Sequence, residues 1–146
     1  MKILGKLFKG PVDDLHDDVI KISLVQAFND VYNYEIIRLS DNRAVGYIDL
    51  RVGHSQTLYY YGNIGYRVYP DYRGHSYAYR ACLLVFEVAR KMGIDYLLIT
   101  ASPENTPSVV TCEKLGGQLL GVEEVPSWHP LYRNNERVKN IYRYDL

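Results

Sequence analysis

At 146 residues, 47% hydrophobic and 23% charged, the chain has the size and composition of a single soluble domain with a real core. Lys+Arg 17 against Asp+Glu 17 gives zero formal net charge, without the basic surplus that general nucleic-acid binding needs, so no nucleic-acid partner is expected. Cys82 and Cys112 are too few for a disulfide framework and point to a reducing compartment.

In chain order, Met1 to Asp18 reads as a loosely structured arm around Pro11, with a short strand or helical turn at most. Lys6 and Lys9 break its apolar run before signal length, and no stretch reaches the roughly 20 apolar residues of a membrane helix. The expected location is the cytoplasm, with no membrane partner. Val19 to Val25, Tyr32 to Leu39 and Ala44 to Val52 alternate as strands, the last two joined by the polar turn Ser40-Asp41-Asn42-Arg43. Leu58 to Val68 is expected to complete an antiparallel meander, with Gly62 and Gly65 marking a bulge or a close backbone approach. The chain holds 15 tyrosines, and on such a strand Tyr59, Tyr60 and Tyr61 would point to alternate faces.

Ser76 to Met92 has helical periodicity, an expected Glu87–Lys91 pair one turn apart, and Gly93 as its stop. Cys82 falls among its core positions. The nearly continuous apolar run Tyr96 to Ala101 reads as a strand covered on both faces, parallel to Gly62–Val68 across a right-handed helical crossover. A short helix follows, with Thr106 as N-cap, Pro107 at its first position and Gly116 at its end. Gln118 to Val125 and Lys139 to Leu146 read as closing strands, separated by a polar loop, Ser127 to Arg137. His16, His54, His75 and His129 show no metal-ligand spacing, and no metal is expected.

The segment VYPDYRGHSYA, Val68 to Ala78, is the most informative in the chain. A strand running through a Gly-containing loop into a helix converges unpaired N–H groups on one point, and the helix dipole adds positive charge. Arg73 supplies a cation, and Gly74 permits close approach to the backbone. An ordinary strand-to-helix turn with a surface Arg is the competing reading of the same residues.

Val68, Pro70, Arg73, Gly74 and Ala78 resemble the acyl-CoA signature V-x-P-x-x-R-G-x-G-x-A/G of the GNAT superfamily of N-acyltransferases, with Ser76 at its third, usually glycine, position. A second block, ENTPSVVTCEKLGG, is similar to the family's N-x-x-S/A…E-K-L-G-F segment through Asn105, Ser108, Glu113, Lys114, Leu115 and Gly116. The resemblance implies one domain over residues 1–146, of α/β (α+β) class. Its mixed, mostly antiparallel sheet would be flanked by helices. The two acceptor helices usual after the first strand are reduced here, because about six residues separate Val25 from Tyr32. The acceptor pocket must then be built otherwise, a neighbouring subunit being one source, and a homodimer is expected.

The resemblance also implies the chemistry: an amine attacks the thioester of acetyl-CoA, with a small-molecule or macromolecular amine as acceptor. The cofactor-binding set is Tyr66, Val68, Arg73, Gly74, His75, Ser76, Tyr77, Ala78 and Asn105, with the Val68 N–H at the oxyanion position. Cys112 stands where many members carry a Tyr that protonates the leaving thiolate. Asp49 and Arg51 share one strand face, with His54 in the next turn; they could bind or deprotonate an acceptor, or form a solvated face. Glu113 is a further catalytic candidate, with a surface salt bridge as its plainer reading. A catalytically silent acyl-CoA sensor or partner module is the alternative function, favoured by Ser76 and Cys112.

Overall fold

Two-residue alternation writes the first half of the molecule in the computed structural model, which describes residues 13–146. Most of the expected N-terminal arm lies outside the described residues. Strands β1 (Asp14–His16), β2 (Ile20–Phe28), β3 (Val31–Arg38), β4 (Arg43–Arg51) and β5 (Ile64–Val68) pair antiparallel in that order. Ile20, Ile22, Tyr34, Ile36, Ile48 and Leu50 are fully buried on one face, and each side chain of this size contributes about 1.5–3 kcal/mol by burial. The β2–β3 turn is Asn29-Asp30, with φ of 49° and 62°, a two-residue hairpin loop that holds no helix. The acceptor helices are therefore absent from this connection.

The expected strand from Leu58 to Val68 forms only in its second half. Ser55 caps a short helix α1 (Gln56–Tyr61), its hydroxyl accepting from the Leu58 N–H at 3.1 Å. The three consecutive tyrosines therefore lie on a helical turn, where capping outweighs their strand propensity. Helix α2 (Tyr77–Lys91) lays Ala81, Val85, Val88 and Ala89 against β2, β4 and β5, with Cys82 buried among them. Gly93 N–H to Arg90 O and Ile94 N–H to Ala89 O close its end. The carboxylate of Glu87 pairs with Arg90 at 3.1 Å, not with Lys91, the i,i+3 neighbour being the nearer here.

The second sheet has the order β6 (Tyr96–Ala101), β8 (Val138–Asp145), β7 (Gln118–Glu124), all antiparallel. The expected parallel ladder between Gly62–Val68 and Tyr96–Ala101 does not form, and the expected single mixed sheet is divided in two. Asn63 sits at the junction. Its N–H donates to Leu98 O at 2.7 Å, while its side-chain Oδ1 accepts from the Leu98 N–H at 2.8 Å. Its Nδ2 donates to Arg51 O and Gly53 O, both at 2.8 Å. Asn63 is thus where the two sheets touch, and beyond it β5 and β6 go separate ways.

Helix α3 (Thr106–Lys114) is capped by Asn105 rather than Thr106. The polar loop 127–137 is anchored more firmly than its composition suggests. His129 is fully buried, with Nε2 2.9 Å from Thr57 O and Nδ1 accepting from Leu131 N–H, and it opens a helical turn α4 (Pro130–Arg133). No helix among the described residues is long and apolar enough to cross a membrane.

Candidate functional site

A cleft of about 680 Å³ opens where β5 ends and α2 begins, with α3 as its far wall. Tyr66, Val68, Arg73, Gly74, Ser76, Tyr77, Ala78 and Asn105 all line it. Only His75 of the expected binding set does not, its ring lying 5.4 Å from that of Tyr77.

The entrance to α2 is built for an anion. Ser76, the N-cap, makes no side-chain hydrogen bond to the first turn, so the amide groups there are not spent on a cap. Ser76 sits at φ 61°, ψ 25°, the left-handed region, and Gly74 at φ 89°. The serine therefore adopts the conformation its usual glycine would supply, rather than capping the helix. A Cβ on Gly74 would meet nothing within 4 Å, so its glycine is required by the backbone angle and not by crowding within the chain. Arg73 Nε donates to Val68 O at 2.9 Å, which fixes the guanidinium at the mouth of the cleft. Across the cleft, Lys114 Nζ sits 4.3 Å over the Tyr79 ring, adding a second cation to the lining.

Strand phase settles where the β5 amides point. Arg51 N–H bonds to Asn63 O and Tyr69 N–H to Val45 O, so residues 65, 67 and 69 turn their backbone polar groups toward β4. By alternation, Tyr66 and Val68 direct their N–H groups away from β4, toward the edge that the divided sheet leaves open. The Val68 N–H therefore faces the gap, as an oxyanion donor must.

Tyr66 reaches from β5 toward α3, its Oη 3.4 Å from Ser108 Oγ. Burial pushes its phenol up to about 12, so it stays protonated, an acid and not a base, at neutral pH. Tyr66 and Ser108 also line a second, smaller cavity of about 160 Å³, bounded by Arg51, Tyr61, Ile64, Gly65, Ile99, Thr100, Leu131 and Lys139. The two cavities therefore share one hydroxyl pair as a common wall.

None of the four expected catalytic residues lines either cavity. Cys112 is fully buried on the core face of α3, and burial pushes its thiol up to about 11. Glu113, one position on, is exposed on the opposite side. Asp49 accepts a 2.6 Å hydrogen bond from Asn33 Nδ2 on the outer face of β4. His54 stacks flat on Tyr96, with centroids 4.2 Å apart. Sequence reasoning gave Ser108 no role, although its place three residues after the Asn105 cap puts it on the cleft face of α3, and it did not single out Asn63.

A family model described as an acetyltransferase (GNAT) domain matches residues 7–118. No curated protein matches the sequence significantly. Among solved structures, a GNAT-family acetyltransferase from Bacillus anthracis is similar at 26% identity and TM-score 0.63, over 77% of this chain and 65% of its own. An acetyltransferase from Agrobacterium tumefaciens shares the fold at 15% identity and TM-score 0.68, over 94% and 97%. The microcin C7 self-immunity acetyltransferase MccE, solved with acetyl-CoA and AMP, shares it at 19% identity and TM-score 0.59, over 80% of this chain. The chain spans only 65% and 62% of the lengths of the first and third of these. With a family model covering most of the sequence, and a cleft laid out around its signature loop, the chain belongs to the GNAT acetyltransferases.

Proposed function

We propose that the protein is an N-acetyltransferase with acetyl-CoA as co-substrate, acting on a small-molecule or macromolecular amine. The carrying observation is the Tyr66–Ser108 pair, shared by the two cavities at the open edge of β5. Acetyl-CoA supplies an activated acyl group as a thioester. The amides of the 73–78 loop, with Arg73 and Lys114, would hold its phosphates, and the Val68 N–H would stabilise charge on the carbonyl oxygen. As the amine nitrogen bonds to the carbonyl carbon and the C–S bond breaks, Tyr66 gives its phenolic proton, directly or through Ser108, to the sulfur. The proton lost by the amine restores it through solvent. Two hydroxyls on the cleft thus do what the buried Cys112 is not placed to do.

Thiol release from acetyl-CoA with a panel of amines tests this reading. Tyr66→Phe and Ser108→Ala should each lower kcat by about a hundredfold, the lower end of the range for general-acid loss. Acetyl-CoA affinity should barely change. Full kcat in both variants would remove the pair from the mechanism. The alternative, a silent acyl-CoA-binding module, is favoured by the absence of Asp49, His54, Cys112 and Glu113 from the cleft lining. Tight acetyl-CoA binding with no thiol release for any amine would select it. A homodimer, if formed, would fall on β7, an edge strand with exposed Leu119 and Val122; light scattering across the micromolar range reads it.

A further inference from the structure

Resting on that reading, the smaller cavity is where the amine arrives, and its walls say what kind of amine. Arg51 and Lys139 both line it, and no Asp or Glu does. Lys139 is nearly buried and has a counter-ion, Glu136, at 2.6 Å. Arg51 has none: among the described residues it forms no ion pair, and its Nη1 donates only to the backbone carbonyls of Gly62 at 3.2 Å and Tyr61 at 3.4 Å. Its guanidinium lies across Gly65, where a Cβ would run into it, so the glycine of β5 is what lets the cation reach the cavity. The remaining walls are the apolar Ile64, Ile99 and Leu131, with the Thr100 hydroxyl committed to Tyr60 O at 2.8 Å. The Tyr61 ring lies 5.7 Å from this guanidinium, and Asp49 shares its strand face without forming an ion pair with it, so the half-buried fork keeps N–H groups for a carboxylate or phosphate.

We propose that this cavity is the acceptor pocket and that it selects a small amine bearing an anionic group, which Arg51 binds while the amine faces the Tyr66–Ser108 wall. At about 160 Å³ the space equals roughly five waters at about 30 Å³ each, enough for a short amino acid or aminoalkyl phosphate and too small for a bulky neutral amine. This chain supplies walls to the pocket without the usual acceptor helices. Tyr61 of α1 and Leu131 of α4, held in place by His129, supply the walls that the missing helices would have given.

Two measurements test the proposal. In the first, acetyl transfer to glycine, β-alanine and ethanolamine phosphate is compared with glycinamide and ethanolamine at equal free-base concentration. The anionic amines should have kcat/KM at least about tenfold higher, and Arg51→Gln should erase that ratio while Lys139→Gln narrows it. The carboxylate and phosphate arms tell which anion fits. Equal or better turnover of the neutral amines overturns the proposal and leaves the acetyltransferase reading standing. In the second, the same compounds are titrated calorimetrically into the CoA-bound protein. Binding of the anionic ones only, lost in Arg51→Gln, supports the pocket even if no amine turns over, in which case the catalytic reading alone falls. Absence of binding and of an anionic preference in the unaltered protein sinks the inference without relying on any variant.

Discussion

Ser76 holds a left-handed backbone angle at the point where the signature loop becomes a helix. An L-residue there carries about 1–2 kcal/mol of strain, whereas glycine carries none but loses more entropy on folding. Ser76→Gly should therefore stabilise the fold by up to about 1 kcal/mol, read as a melting point about 2–4 °C higher. A melting point that falls would mean that the hydroxyl contributes more than the strain costs. Next to it, Arg73→Ala should weaken acetyl-CoA binding by about 1.5–3 kcal/mol, roughly tenfold or more, the range for a hydrogen bond to a charged group. Because Arg73 Nε also ties down Val68 O, Arg73→Lys is the informative companion. Retained affinity in the lysine variant would assign the role to charge, and lost affinity to the fork. The loop was legible in the sequence because its chemistry is local, residues 68–78 in one strand-turn-helix. Catalytic roles were not, because they depend on helix phase. One step along α3 separates the buried Cys112 from the cleft-facing Thr111 and the exposed Glu113.

At the scale of elements, the strands other than the first half of the expected Leu58 to Val68, together with α2, follow their periodicity to within about three residues, but the two sheets meet through one residue. Asn63 uses its N–H and Oδ1 on Leu98 of β6 and its Nδ2 on the carbonyls of Arg51 and Gly53 at the end of β4, and no pattern of apolar spacing signals such a clip. Asn63→Ala would leave the buried Leu98 N–H without its acceptor and two carbonyls without their donor. Leaving buried groups unpaired at this site should cost about 2–4 kcal/mol, measured as a lower denaturation midpoint at unchanged slope. Asn63→Asp is the sharper probe, since it keeps an acceptor for Leu98 and loses both donated bonds. If both variants are as stable as the parent, the clip is ornamental. The tyrosine-rich segment departs from its expected strand for a related reason. The local cap at Ser55 decided the structure of residues 56–61, against the strand preference of their side chains.

Across the whole molecule, the described N-terminal segment is fastened to the first turns of α2 by charge. Arg80 bridges Asp17 at 2.9 Å and Asp18 at 3.3 Å. Partial burial pushes the Asp17 carboxyl up, but the N–H groups of Ile20 and Val19, together with Arg80, outweigh it and hold the group below its ordinary value of 3.8. A carboxyl depressed in the folded state adds stability above its unfolded value and loses it as pH falls through the folded one. Arg80→Ala should thus cost up to about 1 kcal/mol near neutral pH, the upper end for a partly exposed pair. The difference between variant and parent should shrink below pH 3.8 and vanish in stronger acid. A gap that stays constant across the acid limb would show that Arg80 acts by packing and not by charge.

The hairpin loop Asn29-Asp30 makes the outer face of the five-stranded sheet a site for grafting. Lys21, Ser23, Asn33, Glu35 and Asp49 give that face a polar, half-buried surface on which no helix among the described residues packs. The ends of the loop are neighbouring strands, about 4.7–4.9 Å apart, a spacing that a spliced pair of antiparallel helices can bridge. Lengthening a loop costs only about 0.6 kcal/mol per doubling, so the scaffold can accept such an insert between Asn29 and Asp30 without refolding. A helix pair placed there would lie over Asp49, beside Arg51 and the small cavity. A library of inserts at that one junction would therefore vary the surroundings of the small cavity while leaving the larger cleft untouched.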